Sequence, residues 1–284
     1  MADVEVVGPT SWNTLIRLDS LPEPRPQTLF AQSATETVGG TSAGKTLHLH
    51  DRGRSVRLTT VVGDDDPGRR SVGALRAVGI DVEAAVVPGP GERHCNLMTG
   101  RGERISIYLS TPDARMGDLP DLHDRMSCRA LVVDLAAWTR ELVEVGHTQR
   151  DLVWTDIHDY DGVTDFHRPF IAAASHVFLN ADGLASPGDF MHSLVDQGVT
   201  VVVCTLGGNG AWAVDSEHRE WRVVALPVDR IVDTNGAGDG FFAGFLDATL
   251  DGADVAGALK GAAEQAARAL VSNHLSPLLD AVVD

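Results

Sequence analysis

Short apolar runs rich in β-branched residues alternate with helical stretches along most of the chain. Pro67–Val78 and Pro187–Gln197 are two of the helical stretches. Strands that alternate with helices of about 10–15 residues indicate βαβ units and a mostly parallel sheet. The candidate strands of this sheet are Val4–Val7, Leu58–Val62, Leu131–Val133, Leu152–Trp154, His176–Leu179 and Val199–Cys204.

Two segments break this rhythm. Ser11–Thr37 contains scattered prolines and alternating positions, and His94–Ser110 alternates on both sides of the turn-like Gly100-Arg101-Gly102. Alternation around a glycine-containing turn is typical of a hairpin. We expect a small antiparallel sheet, with strands at about 11–37 and 92–110, inserted into one α/β domain that spans residues 1–284. Ordinary edge strands of the main sheet are the alternative interpretation.

The composition narrows the class of protein. The chain has 284 residues, of which 23 are basic and 40 acidic, so its net charge is −17. This excess of acid disfavours nucleic acid as a partner. Apolar runs stay shorter than the about 18 residues of a membrane span, and Asp3 and Glu5 stand where a signal peptide carries positive charge. Cys95, Cys128 and Cys204 lack CxxC spacing, so we expect a cytoplasmic, enzyme-sized protein that binds no membrane.

Gly39–Thr46 matches the G-x-x-x-x-G-K-[ST] phosphate loop at each required position. Ala130–Asp134 could even supply the Mg²⁺-binding aspartate of such a nucleotide hydrolase. A phosphate loop follows a buried parallel strand, however, and the preceding Ser33–Val38 is polar. A glycine turn that opens a helix over Ser42–His50 fits the segment better.

Asp233–Asp239, with the sequence Asp-Thr-Asn-Gly-Ala-Gly-Asp, carries the clearest chemistry. A helix that begins at this turn would offer unpaired N–H groups and the positive end of its dipole to an anion. Gly236, Ala237 and Gly238 would let a phosphoryl group approach the backbone. Asp239 would repel a resting phosphate but suits a general base for an attacking hydroxyl. A helix-capping role for Asp239 is the alternative.

This stretch resembles the D-T-x-G-A-G-D signature of the ribokinase-like (PfkB) carbohydrate kinases. The resemblance extends from about Val4 to about Val271. Its further motifs are Gly39-Gly40, the Val61–Asp65 segment with Gly68, Asn180 at the start of an N-x-x-E motif, and the T-L-G-x-x-G-A motif of Thr205–Ala211.

The resemblance implies a parallel α/β sheet with helices on both faces, a small β lid, and transfer of phosphate from ATP, with Mg²⁺, to a primary hydroxyl of a small sugar. It implies that Asp239 is the base and that Gly236, Ala237 and Gly238 form the anion hole. By the same resemblance, Asn13, Gly39 and Gly40 would bind the sugar, and Asn180, Thr205, Gly207 and Gly210 the nucleotide.

The chain also departs from the family pattern. Gly44 stands where the family has a sugar-reading Asn, and Gly183 where it has the Glu of N-x-x-E, with Asp182 as a neighbouring substitute. Asp233 and Asn235 would hold a monovalent cation such as K⁺, but the R-x-G-A stretch that completes that site is absent from Val271–His274.

Several interpretations therefore stay open. One is a nucleoside kinase of the same family, and another is a non-catalytic sugar- or nucleotide-binding sensor. Asp156 and His158 would either contact a ligand at the carboxyl edge of the sheet or belong to a solvated loop. The lid would have exposed strand edges that can pair between two copies of the chain, so a homodimer is a further expectation.

Overall fold

The computed structural model describes residues 2–100, 102–119, 127–144 and 150–283, which contain thirteen strands and eight α-helices. The strands are β1 (Val4–Val7), β2 (Ser11–Leu18), β3 (Ser33–Gly39), β4 (Val56–Gly63), β5 (Asp81–Val87), β6 (Arg93–Thr99), β7 (Arg104–Ser110), β8 (Ala130–Val133), β9 (Val153–Asp156), β10 (His176–Asn180), β11 (Val201–Thr205), β12 (Ala211–Asp215) and β13 (Glu220–Val223). The helices are α1 (Thr41–Asp51), α2 (Asp66–Ala77), α3 (Ala137–Glu144), α4 (Arg168–Ala173), α5 (Pro187–Asp196), α6 (Ala237–Leu250), α7 (Val255–Ala269) and α8 (Asp280–Val283).

Nine strands form the large sheet, in the order β13-β12-β11-β10-β9-β8-β1-β4-β5. From β11 to β5 all neighbours are parallel, and β12 and β13 extend one edge as antiparallel strands. The candidate strands predicted from the apolar runs correspond to β1, β4, β8, β9, β10 and β11, which confirms the mostly parallel sheet.

Helices cover both faces of this sheet and enclose two apolar cores. On one face, α1, α2, α6 and α7 bury side chains that include Leu47, Leu75 and Phe242. On the other face, α3, α4 and α5 bury Phe170 and Leu194 among others. This arrangement buries the strands on both sides, as a parallel sheet requires.

The small sheet has the strand order β3-β2-β6-β7, and its strands come from the two segments that break the α/β rhythm. The hairpin of β6 and β7 is antiparallel as predicted, although Arg101 of its turn lies outside the described residues. The antiparallel prediction is wrong for one pair, because β2 and β6 are parallel. Long intervening chain, rather than a tight turn, connects β2 to β6, and such a crossover permits parallel pairing.

The composition leads to two expectations: that the chain has no membrane span and that its cysteines form no disulfide or metal cluster. No helix within the described ranges is long and apolar enough to cross a bilayer. The three cysteines are free thiols. The cytoplasmic location itself stays a prediction.

The carboxyl edge of the large sheet collects polar residues from four neighbouring strands. Asp134 follows β8, Asp156 ends β9, Asn180 ends β10 and Thr205 ends β11. Ligands of open α/β sheets bind outside the carboxyl ends of the strands. The fold therefore places the candidate site at this edge.

Candidate active site

A buried cluster of one ammonium and three carboxylates lies at the carboxyl edge. Eight consecutive residues of α1, Ser42–Leu49, are buried, and the Lys45 side chain among them is 0% exposed. Its Nζ lies 2.8 Å from Oδ1 of Asp134, 3.6 Å from Oδ2 of Asp156 and 3.6 Å from Oδ1 of Asp239. Ser42 Oγ donates to the other oxygen of Asp134 at 2.7 Å. The cluster therefore joins α1, the ends of β8 and β9, and the first turn of α6.

The charges of the cluster determine the proton affinity of each member. Burial opposes the charge of Lys45, but the surrounding carboxylates outweigh it and hold the Lys45 pKa above its ordinary value. Burial also opposes the charge of Asp156, yet His158 and Lys45 hold its pKa below the ordinary value. Asp239 differs: burial, with a smaller contribution from Asp134 and Asp156, raises its pKa to about 7 despite Lys45. A carboxyl group with this pKa can accept a proton and release it near neutral pH.

The absence of a side chain at Gly44 leaves space for the Asp239 carboxylate. A Cβ on Gly44 would lie 2.2 Å from Oδ2 of Asp239, closer than any real contact. The family's Asn therefore cannot occupy this position while Asp239 keeps its orientation.

The turn before α6 has the features of an anion hole. Gly236 is the N-cap of α6 with a left-handed φ of 80°, and a Cβ there would lie 2.3 Å from the carbonyl oxygen of Leu275. Only glycine adopts this conformation against that backbone at low cost. Ala237 begins the helix, and no atom lies within 4 Å of a Cβ built on Gly238. The space beside Gly238 at the start of α6 is therefore open, although the backbone N–H of Ala237 donates to the carbonyl of Thr234 at 3.3 Å.

The small sheet contacts this turn at two places. Arg17 of β2 donates from Nη2 to Oδ2 of Asp233 at 2.7 Å, and the other oxygen of Asp233 accepts from the backbone N–H of Asn235 at 2.8 Å. In the β6–β7 turn, a Cβ on Gly102 would lie 3.2 Å from the Thr234 methyl group. The small sheet therefore covers the turn that would hold a phosphoryl group.

The residues expected on the nucleotide side lie together. Asn180 and Thr205 are register partners at the ends of β10 and β11, and Gly207 and Gly210 lie in the turn that follows β11. The backbone N–H of Asn180 donates to the carbonyl of His158 at 2.8 Å, which connects this group to the loop after β9.

Gly183 and Asp182 follow Asn180. A Cβ on Gly183 would lie 2.3 Å from the carbonyl oxygen of Asp159, so this loop leaves no room for the family's Glu. Asp182 is exposed, and its backbone N–H donates to Oδ1 of Asn180 at 2.9 Å.

The residues expected to bind the sugar lie where the small sheet meets α1. Asn13 of β2 is buried, and its Oδ1 accepts from the backbone N–H of His94 at 3.2 Å. Gly39 ends β3 directly beside the Asn13 amide, and Gly40 is the N-cap of α1. The structure thus brings Asn13, Gly39 and Gly40 to one place, close in sequence to the helix that carries Lys45.

A family model described as "pfkB family carbohydrate kinase" matches residues 1–276. The chain belongs to the pfkB family of carbohydrate kinases. It is 28% identical over 265 residues to acarbose 7(IV)-phosphotransferase from Actinoplanes sp., covering 88% of this chain and 86% of that protein. It is 25% identical over 259 residues to a cytidine kinase from Thermococcus kodakarensis, covering 87% and 88%. Among solved structures, a microbiome-derived acarbose kinase superposes with a TM-score of 0.82 at 30% identity, covering 96% of this chain and 93% of that one.

In this pfkB-family chain, the Gly39–Thr46 segment is not a phosphate loop. The strand before it, β3, is an edge strand of the small sheet rather than a buried parallel strand. Lys45 is enclosed by carboxylates and does not face open space as a phosphate-binding lysine would. Sequence reasoning gave Lys45 no role outside a phosphate loop and considered Asp134 only as a Mg²⁺ ligand. One feature of the sequence does indicate the role of Lys45. It is a single lysine among Ala43, Leu47 and Leu49 of a helix, and a lysine buried among apolar residues must be paired with a carboxylate.

We predict that Gly44→Ala disables the site without unfolding the protein. The new methyl group would collide with the Asp239 carboxylate and displace it. A misplacement of about 1 Å costs roughly 10²-fold in rate, so kcat for phosphoryl transfer should fall by about that factor.

Gly73→Ala is the matched control. Gly73 is exposed within α2, and no atom lies within 4 Å of a Cβ built there. Alanine should leave kcat unchanged and stabilise the helix by about 0.5–1 kcal/mol. Equal kcat values for the wild type and Gly44→Ala would contradict the close approach of residue 44 and Asp239.

Proposed function

We propose that this protein transfers the γ-phosphoryl group of ATP to a primary hydroxyl group of a small sugar. The single observation that carries the proposal is the position of Asp239. Its carboxyl group, with a pKa raised by burial to about 7, lies in the first turn of α6 beside the glycine turn of Gly236–Gly238. Phosphoryl transfer to a hydroxyl group requires a base for the hydroxyl and a site for the transferring anion, and here the two follow one another in the sequence.

In the proposed reaction, the hydroxyl oxygen of the acceptor attacks the γ-phosphorus while its proton passes to the Asp239 carboxylate. The bond from the γ-phosphorus to the bridging oxygen breaks, and ADP leaves. The amides at the start of α6 stabilise the charge on the transferring group. The small sheet, held near this turn by Arg17, would exclude water and so limit hydrolysis of ATP.

Buried polar atoms without partners support a polyhydroxylated acceptor. Within the described residues, Ser11 Oγ and Asn96 Oδ1 are buried and have no hydrogen-bond partner. Ser11 and Asn13 lie on one face of β2, and Asn96 is the register partner of Leu15 on that same face. Since buried polar groups are normally hydrogen-bonded, these atoms are suited to the hydroxyl groups of a bound sugar.

The nucleotide side fits ATP with Mg²⁺. Thr205, Gly207 and Gly210 would border the adenosine, and the exposed Asp182 carboxylate beside Asn180 supplies oxygen ligands. Mg²⁺ commonly takes one or two carboxylates and completes its shell with phosphate oxygens and water. Bound with ATP, Mg²⁺ would neutralise charge on the phosphates.

A nucleoside kinase is the second candidate function. The similarity to the cytidine kinase, which covers 87% of this chain, favours it. A nucleoside also presents a primary hydroxyl group, so the same base and anion hole would serve. A protein that binds sugar or nucleotide without turnover is the candidate from another class, and the absence of the family's Glu at Gly183 favours it.

The test is ADP release from Mg-ATP with a panel of pentoses, hexoses, keto-sugars, sugar phosphates, oligosaccharides and nucleosides. We expect turnover with a sugar and a loss of roughly 10²–10⁴-fold in Asp239→Asn, which removes the base. Below pH 7 the wild-type kcat/KM should fall about tenfold per pH unit as Asp239 becomes protonated. Turnover with nucleosides alone would favour the second candidate. Binding of ATP without turnover of any acceptor, or Asp239→Asn within about tenfold of wild type, would contradict the proposed base.

The K⁺ expected at Asp233 and Asn235 stays a prediction, and Arg17 competes with it for the same carboxylate. The Asp233 side chain is fully buried, and its two oxygens already accept from Arg17 and from the Asn235 backbone. The side-chain amide nitrogen of Asn235 is a buried donor without a partner among the described residues. We propose that the Arg17 guanidinium supplies the positive charge there instead of a cation.

The rate of ADP formation should therefore be the same in KCl and in NaCl at equal ionic strength. Arg17→Met should slow it by leaving Asp233 buried and unpaired. Arg25→Met is the matched control, because Arg25 pairs with Glu23 and both side chains are exposed. A several-fold stimulation of the wild-type rate by K⁺ would refute this role for Arg17.

We propose that two copies associate through β7, the edge strand of the small sheet. Its Ile105, Ile107 and Leu109 share one face and are exposed. Exposed apolar edge strands are prone to pair with another chain. Sedimentation equilibrium should give twice the chain mass of 30.2 kDa, and Ile107→Lys should return the monomer. A monomeric wild type would exclude this dimer.

A further inference from the structure

We propose that Lys45, anchored by Asp134, is the positioning residue that holds the Asp239 carboxylate and balances its charge. This inference rests on the proposed function, in which Asp239 is the base. Lys45 itself would touch neither the sugar nor the phosphate, because its side chain is 0% exposed. It would act through Asp239.

The geometry gives Lys45 two different kinds of contact. The Asp134 carboxylate lies nearest, at 2.8 Å, and is held from its other side by Ser42. Asp239 lies further away, at 3.6 Å, and its side chain is 10% exposed. Asp134 thus fixes the ammonium, while the ammonium attracts a carboxylate that keeps a small exposed fraction.

The charge balance explains why such an arrangement suits a base. One ammonium and three carboxylates sum to −2, and a proton transferred to Asp239 changes this to −1. Two carboxylates near Asp239 favour proton uptake, whereas Lys45 prevents its proton affinity from rising so far that it stays protonated at neutral pH. The affinity is therefore set by two opposed influences, each from a named residue.

Two histidines are further titratable groups near Asp239 among the described residues. On α1, His48 packs near Gly240, but burial lowers the pKa of His48 to about 4, so it is neutral at physiological pH. From the loop after β9, His158 lies 3.5 Å from Asp156 and acts on that carboxylate. Lys45, Asp134 and Asp156 are the charges that act on Asp239 itself.

Because Lys45 lowers the pKa of Asp239 and Asp134 raises it, removing each charge should shift this pKa in opposite directions. Lys45→Met removes the attraction and should raise the pKa of Asp239 by about one unit or more. Asp134→Asn removes a repulsion and should lower it. The side-chain amide of this variant can still accept from Lys45 through its oxygen, and the Ser42 hydroxyl can turn to accept from its nitrogen. If the role of Lys45 were merely structural, Lys45→Met would leave the pKa of Asp239 at its wild-type value.

The chain supplies a matched control, because it contains only two lysines. The second, Lys260, is exposed on α7. Lys260→Met makes the same chemical change away from the cluster and should leave the titration of Asp239 unchanged.

The measurement is a carbon-13 NMR titration of protein labelled at the aspartate carboxyl carbons. The signal of Asp239 is assigned by its absence in Asp239→Asn. An upward shift of its midpoint in Lys45→Met and a downward shift in Asp134→Asn would support the proposal. Should Lys45→Met fail to fold, Lys45→Gln, which keeps a polar group beside Asp134 and removes the charge, makes the same test. A midpoint in the Lys45 variant that matches the Lys260→Met control would overturn it.

This readout needs no substrate, so it separates the inference from the proposed function. The acid limb of the kcat/KM profile should move in the same directions as the NMR midpoints. Shifted midpoints without turnover of any acceptor would contradict the proposed function and still support the role of Lys45. Turnover that depends on Asp239, with an acid limb that neither variant moves, would sink the role of Lys45 alone.

Discussion

The buried ammonium of Lys45 constrains the structure more than any other single group. Effective desolvation penalties of several kcal/mol per ion mean that a charge in this position requires partners. Its partners come from the end of β8, the end of β9 and the start of α6. Four elements that are distant in sequence must therefore meet within a few ångströms. Removal of one partner of such a buried pair typically costs about 3–5 kcal/mol, which ties the stability of the fold to the geometry of the candidate site.

The same constraint prepares the chemistry. Because α1 carries Gly44 next to Lys45, the Asp239 carboxylate can lie against the helix backbone and still be 10% exposed. Burial raises the pKa of Asp239 to about 7, which means that ionisation of this group opposes folding. Its stabilising contribution is complete below the unfolded pKa of about 4 and is lost as the pH rises through 7. The proposed anion hole lies at the glycine turn of α6, and Arg17 links that turn to the small sheet.

The sequence pattern was sufficient for the parallel core, because a strand such as β8 is apolar, rich in β-branched residues and bounded by Arg129 and Asp134. Asp239 and Gly236–Gly238 were also predictable, since a local motif specifies the turn, the helix start and the carboxylate together. Lys45 was not, because its role depends on Asp134 and Asp156, which only the tertiary fold brings near. The parallel pairing of β2 with β6 escaped prediction for a related reason: alternation shows that a strand is half-buried but does not identify its partner.

One buried ammonium and one buried carboxyl group of near-neutral pKa coexist 3.6 Å apart at the centre of this site. Neutron diffraction from deuterium-exchanged crystals, equilibrated on either side of neutrality, observes both groups directly. We expect three deuterons on Lys45 Nζ at both acidities. We expect one deuteron on the Asp239 carboxyl group in the more acidic crystals and none in the more basic ones. An Asp239 without a deuteron in both crystals, or a Lys45 with only two deuterons, would contradict this arrangement of charges.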